Sequence, residues 1–165
     1  MTAERTRTIE WSDPVLCVEG ARGRTGLDFL RAMVAGEIPQ PPIAATLDFV
    51  LAAAEPGFAR FIGQPGEHHY NPMGGVHGGV ICTLLDSAMG CAVMTDLDDK
   101  TAYTTSHISV HLVRPVTRDT GPVTAEGKLI HSGRRVATAE GRLVDAAGRL
   151  LAHGTTTCLI MPRPS

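Results

Sequence analysis

The chain has 165 residues, 43% hydrophobic and 19% charged, with a formal net charge of −2. That is enough for one globular domain with a sizeable core. It excludes a disordered polymer and a nucleic-acid binder that works through a basic excess.

The first eleven residues carry Glu4, Arg5, Arg7 and Glu10 and no apolar stretch, so no secretory leader is expected. No apolar run approaches the ~18 residues that a membrane span needs. Cys17, Cys82, Cys91 and Cys158 show no CxxC spacing. They are expected to be small buried residues in a reducing compartment, which points to the cytoplasm.

In chain order, residues 1–25 are rich in Arg and Glu and are expected to form a loosely docked lead-in. Leu27, Leu30 and Val34 fall at helical spacing, which predicts a short helix over 26–35, ended by Gly36 and the prolines 39, 41 and 42. Segments 43–53 and 57–63, separated by Glu55-Pro56-Gly57, predict a hairpin. A loop from Gln64 to Gly75 holds the adjacent pair His68 and His69. With no third ligand at a suitable spacing, they are expected to be loop residues rather than a metal site.

The strongest helical pattern runs from about Gly78 to Thr95. Val80, Ile81, Leu84, Leu85, Ala88, Met89, Ala92 and Val93 follow the 3.6-residue period, and Gly79, Cys82, Thr83, Asp86 and Gly90 form a small or polar opposite face. Both faces are expected to be covered. After the acidic turn Asp96–Lys100 come four strands, at 101–113, 122–131, 135–144 and 149–161. In the first of these, Ile108, Val110 and Leu112 alternate with Thr105, His107, Ser109 and His111.

A single long apolar helix cannot separate about six strands into parallel crossovers. The expected fold class is therefore α+β, an antiparallel sheet curled around that helix, with a short N-terminal helix. Its free edges favour pairing with a second copy. An N-terminal extension over 1–42 and a main domain over 43–165 are the expected division.

The residues that carry chemistry are Asn71-Pro72-Met73-Gly74-Gly75-Val76-His77-Gly78-Gly79, followed by Asp86. Two glycines at a helix start let another group approach the backbone. The first N–H groups there have no partner within the helix and carry the positive end of its dipole, so they can hold a developing oxyanion. Asp86, two turns on, can orient or deprotonate a water. Taken singly, each piece has a plain reading as turn, cap or solvated carboxylate.

Together, Asn71, His77 six residues later, Asp86 nine after that, and a strand closing on Leu112-Val113-Arg114-Pro115 resemble the PaaI-type branch of the hotdog thioesterases, in the 4-hydroxybenzoyl-CoA thioesterase-like superfamily. The resemblance spans residues 43–161. It implies a hotdog fold, a homodimer that is often a dimer of dimers, and hydrolysis of acyl-CoA thioesters without metal or other cofactor.

It also implies roles. The Gly78 N–H would polarise the thioester carbonyl, Asp86 would act as base or nucleophile, and Asn71 would position the water or the carboxylate. His77 would shape the loop, and Thr105, with Thr104 as runner-up, would help to hold the water. One subunit's Asn and His-Gly-Gly would meet the other subunit's Asp.

Gly79 is a candidate for binding substrate or coenzyme A, and the phosphates of coenzyme A call for a basic rim, for which Arg134, Arg135 and Arg114 are candidates. Two other readings stand beside this one: a non-catalytic acyl-CoA binding module, and an enoyl-CoA hydratase. The hydratase pattern Asp-x5-His is disfavoured because Cys91 stands five residues after Asp86.

Overall fold

The computed structural model describes residues 4–163. Helices α1 (Val15–Gly20), α2 (Gly26–Val34) and α3 (Pro42–Thr46) lead into strands β1 (Phe49–Glu55) and β2 (Phe58–Gly63). The long helix α4 (Gly78–Met94) follows. Then come β3 (Thr101–Leu112), β4 (Val123–Ser132), β5 (Val136–Asp145) and β6 (Leu150–Pro162). All six strands form one antiparallel sheet in the order β1-β2-β4-β5-β6-β3, so β1 and β3 are its edges.

The sheet wraps α4 as the pattern predicted. Ile81, Leu84, Leu85, Ala88, Met89, Ala92 and Val93 are buried, and within the helix only Gly79 is exposed. Close wrapping depends on a row of glycines across the central strands, Gly127 opposite Gly141 and Gly141 opposite Gly154. A Cβ at Gly127 would overlap the Ala88 carbonyl, and one at Gly141 would lie 2.8 Å from Met89 Cγ. These glycines forgo strand propensity so that the helix backbone can rest on the sheet.

Three expectations need correction. The strand expected over 43–53 begins only at Phe49, because Pro42 sits at the start of α3, where a missing N–H costs nothing and a fixed φ is pre-organised. The segment expected to be a loose lead-in is tied down. Arg7 donates to the carbonyls of Ala45 and Thr46, each at 2.9 Å, and pairs with Asp48. Arg163 Nη1 donates to the carbonyl of Ala21 at 2.5 Å, and Gly26 N–H donates to the carbonyl of Leu97 at 2.9 Å.

The simple alternation of β3 also fails. Its register against β6 shifts between Thr105 and His107, so Ser106 is an extra residue. Such a bulge moves side chains to the other face. Thr105 therefore pairs with buried Cys158 and faces the helix, on the same side as Ile108 and Val110 and not with His107, Ser109 and His111. Among the described residues no helix is long and apolar enough to cross a membrane.

Candidate active site

The entry to α4 is built by a short closed loop. Asn71 N–H donates to the Gly75 carbonyl at 2.8 Å, and Gly74 N–H donates to the Asn71 carbonyl at 3.1 Å, with Gly74 at a φ of 85° that suits glycine. Asn71 Oδ1 accepts from the N–H groups of Met73 (2.9 Å) and Gly75 (3.3 Å). The side-chain oxygen thus holds the loop, and the amide nitrogen is the end left for a ligand. Two neighbouring segments clamp the exit of this loop, through Val76 N–H to the Val116 carbonyl at 2.9 Å and His77 N–H to the His69 carbonyl at 2.8 Å.

His77 is the N-cap of α4. Its Nδ1 accepts from Gly79 N–H at 2.9 Å, which puts the ring proton on Nε2 in the neutral form. Gly79's donor is consumed in this way. For Gly78 N–H no acceptor is found among the described residues, so the first helical donor is the free one. A Cβ at Gly78 would lie 2.9 Å from Leu112 Cδ1, which marks how closely β3 approaches the helix start.

Asp86 stands eight residues further along, about 12 Å up the axis. It is half-buried, and Thr105 Oγ1 donates to its Oδ1 at 2.9 Å. Thr104 is exposed on the other face. The bulge at Ser106 thus decides which threonine reaches the carboxylate. One turn beyond Asp86, the Tyr103 phenol lies against Gly90, where a Cβ would be 2.6 Å from Oη. Burial above all, and then the neighbouring Cys91, Cys158 and Asp86, hold that phenol protonated well above its ordinary range. Burial, with Asp86's charge second, pushes the Cys91 thiol up to about 12, so no thiolate nucleophile stands there at neutral pH.

The structure also joins residues that the sequence left apart. His68 Nε2 lies 3.1 Å from Asp48 Oδ2, the His68 and His69 rings are 3.9 Å apart, and all three residues offer ligand atoms within 4.8 Å of one another. The third group missing from the sequence spacing is therefore Asp48. The donor set does not favour a cation, however. Arg7 already pairs with Asp48, and His69 Nδ1 accepts from Gly66 N–H at 3.1 Å, which places its remaining proton on Nε2. Burial first, then His68, lowers the His69 pKa and keeps the ring neutral.

Comparison with known proteins bears on the family. The model of the thioesterase superfamily matches residues 73–152, which hold His77, the two glycines, Asp86 and Thr105. A proposed esterase of Saccharolobus solfataricus is 32% identical over 87 residues, 52% of this chain. The match spans 60% of that relative's length. A proposed thioesterase of Ralstonia eutropha, related to phenylacetic acid degradation, superposes with a TM-score of 0.71 at 29% identity, over 79% of this chain and 98% of its own. Residues 73–152 of this chain are thus similar to the thioesterase superfamily, and the chain has the hotdog fold. The PaaI protein of the Escherichia coli phenylacetic acid degradation operon shares that fold with a TM-score of 0.71 at 19% identity, over 83% of this chain and 95% of its own.

The nine residues singled out from the sequence fall into three places. Asn71, His77, Gly78 and Gly79 gather at the N-terminus of α4, and Arg114, just past the end of β3, is held near that end by a 2.5 Å bond from Nη1 to the Leu150 carbonyl. Asp86 and Thr105 meet at the helix middle. Arg134 and Arg135 sit on the β4–β5 turn beside Ile160, at the far end of the sheet, where β3 begins. A single chain does not bring them to Gly78. Sequence reasoning missed Tyr103, although a strand's two-residue period places it on the face of Thr105.

Proposed function

We propose that the protein is an acyl-CoA thioesterase whose active site is completed by a second copy of the chain. The observation that carries this reading is the division of labour along α4. A free Gly78 N–H and the Asn71 amide stand at one end, and the Asp86–Thr105 pair stands about 12 Å away. No single carbonyl carbon can be served by both from one chain.

An antiparallel partner helix supplies the missing half twice over, and two-fold symmetry makes two equal sites. The unpaired β3 edge, 12 residues long and ending in exposed Leu112, is the surface through which such a partner would add. In each site the Gly78 N–H of one chain polarises the thioester carbonyl and takes up the oxyanion. His77 fixes the donors, Asn71's amide orients water, and Asp86 of the other chain either attacks the thioester carbonyl carbon, with water then hydrolysing the acyl-enzyme, or deprotonates the water that attacks it, while Thr105 holds its carboxylate. Arg114, Arg134 and Arg135 are the cations proposed for the phosphates of coenzyme A. Hydrolysis releases the free acid and CoA and needs no cofactor in this scheme.

Mixing two inactive variants tests the arrangement. Asn71→Ala and Asp86→Asn are unfolded and refolded together, and free CoA is measured with a thiol reagent. With random pairing about half of the dimers are mixed, and in each of these one site carries both lesions and the other carries neither. About a quarter of sites should regain activity. Confirmed heterodimers with no recovery would overturn the shared site, and a wild-type protein that binds acyl-CoA but releases no CoA would make it a binding module instead.

A further inference from the structure

The start of α4 is held from behind by a histidine to which the proposed mechanism gives no part. His69 closes the short turn Glu67–His69, and only 6% of its surface is exposed. Beyond it the chain doubles back. The Tyr70–Val76 bridge, the Asn71 N–H on the Gly75 carbonyl and the His77 N–H on the His69 carbonyl make a small antiparallel hairpin. The Asn71–Gly75 loop is its tip, and His69 stands opposite His77 at its base. Because His77 is the N-cap of α4, whatever fixes His69 also fixes the first donors of the helix.

The imidazole supplies that hold. His69 N–H donates to the Gly66 carbonyl at 3.0 Å, and Gly66 N–H donates to His69 Nδ1 at 3.1 Å. This reciprocal pair ties the hairpin base to the chain leaving β2, where Gln64 N–H donates to the Asp48 carbonyl at 2.8 Å. Burial and the neighbouring His68 keep the ring neutral, so Nδ1 stays an acceptor at neutral pH.

The cost of the arrangement falls on the other ring nitrogen. With Nδ1 accepting, the proton is on Nε2, and Nε2 is the buried side-chain polar atom left without a hydrogen-bond partner among the described residues. His69 also lines a cavity of about 20 Å³, room for a single water, whose other walls include Leu47, Val80, Ile81, Leu84 and Val116. A phenyl ring would fill the same space without burying a donor, so packing alone does not call for histidine here. What imidazole has and phenyl lacks is the Nδ1 lone pair on Gly66.

We propose that His69 is a positioning residue for the oxyanion site: its Nδ1 holds the hairpin base against the end of β2 and so sets, through His77, where the Gly78 N–H and the Asn71 amide point. This rests on the thioesterase reading for what those donors hold.

The test uses three variants that separate the two ring nitrogens. His69→Asn places an amide oxygen near the Nδ1 position, His69→Gln reaches instead towards Nε2, and His69→Phe keeps the ring and removes both nitrogens. For each, kcat and KM are read with an acyl-CoA and a thiol reagent, Tm is read by circular dichroism, and amide hydrogen exchange is read at His77 and Gly79. In His69→Phe and His69→Gln, kcat should fall about tenfold or more with KM within about threefold, since misplaced donors hurt the transition state more than binding. The His77 amide should exchange about tenfold faster in the same two variants, with Tm changed by only a few degrees. His69→Asn should keep about a third or more of the wild-type kcat and the slow exchange.

Wild-type kcat in folded His69→Phe overturns the proposal, and so does a Gln variant that outperforms the Asn variant, which would make Nε2 the nitrogen that matters. If His69→Phe does not fold, the Asn and Gln pair decides alone. Exchange that quickens with kcat unchanged also overturns it, because the hairpin base would then not govern the donors. The exchange rates keep the proposal separable from catalysis. If wild type releases no CoA from any thioester and the amides still loosen in Phe and Gln but not in Asn, the thioesterase reading fails and the positioning role stands. If CoA is released and all three variants match wild type in kcat and exchange, the reverse holds.

Discussion

The two ends of the candidate site lie on one helix and are built in opposite ways. At the N-terminus of α4 the groups that matter are backbone donors, the surroundings are exposed, and the geometry is fixed by a closed loop and a histidine cap. Eight residues on, the groups that matter are side chains, Asp86, Thr105 and Tyr103, enclosed under the sheet and the N-terminal helices. The first end owes its chemistry to where a helix begins. The second owes it to what is packed over the helix. The same sequence change should therefore act differently at the two ends.

The largest effect is expected at the enclosed end. Asp86→Asn keeps the shape and can still meet Thr105 Oγ1, but it cannot accept a proton or attack, so kcat should fall by ~10²–10⁴ with thermal stability nearly unchanged. Near wild-type turnover in a folded variant would remove Asp86 from the mechanism.

At the open end the expected loss is smaller, because Gly78→Ala retains the N–H. The new methyl meets Leu112 Cδ1 at 2.9 Å, and Leu112 is a flexible and largely exposed side chain that can give way. The helix should tolerate or prefer alanine, while crowding of the carbonyl lowers kcat/KM by ~10–100-fold. An alanine variant as active as the parent would show that the thioester does not sit at the helix start.

A smaller effect still is expected of Thr105→Val, which preserves volume and removes one hydrogen bond to the carboxylate. A loss of about tenfold in kcat with KM little changed is expected, whereas Thr104→Val, on the exposed face, should be silent. Equal effects from the two threonine variants would show that the bulge does not set which one serves Asp86.

The two ends were also unequally legible in the sequence. The helix, its start at Gly78 and the turn-forming Asn71 loop are local features, visible as period, cap and glycine signals within about twenty residues. The sheet was legible as alternation and turns, with strand ends off by a residue or two except at β1, which begins six residues later than expected. What was not legible depended on long-range packing. The bulge at Ser106 has no marker in the alternation of 101–113, so Thr105 was placed with His107 on the wrong side. The approach of Asp48 to His68, and of Cys17 and Phe29 to Asp86, joins residues 20 to 69 apart in the chain. Helix α1 offers no apolar period, and its contacts are long-range ones to the segment after α2, Cys17 Sγ to the Pro39 carbonyl and Gly20 against Ile38.

The smallest effect concerns how well the enclosed end is sealed, and it is read in alkali. Burial, reinforced by Asp86, raises the Cys91 thiol from 9.0 to about 12 in the folded chain, and it raises the Tyr103 phenol as well. A group whose folded pKa lies above its unfolded value binds its proton more tightly in the native state. Its contribution to stability is therefore complete below the unfolded pKa and is lost as pH rises towards the folded one. For Cys91 that window runs from about 9 to about 12. The melting temperature of the wild type should be flat in this respect up to about pH 8 and decline above it. Cys91→Ala removes the thiol without adding bulk there, so its decline should be shallower, with the remaining slope carried by Tyr103 and the surface. The difference between the two profiles, not either Tm alone, is the quantity to measure, because the alanine itself shifts stability at every pH. Parallel profiles from pH 8 to pH 11 would mean that Cys91 is wetted, and that the middle of α4 is as open as its N-terminus.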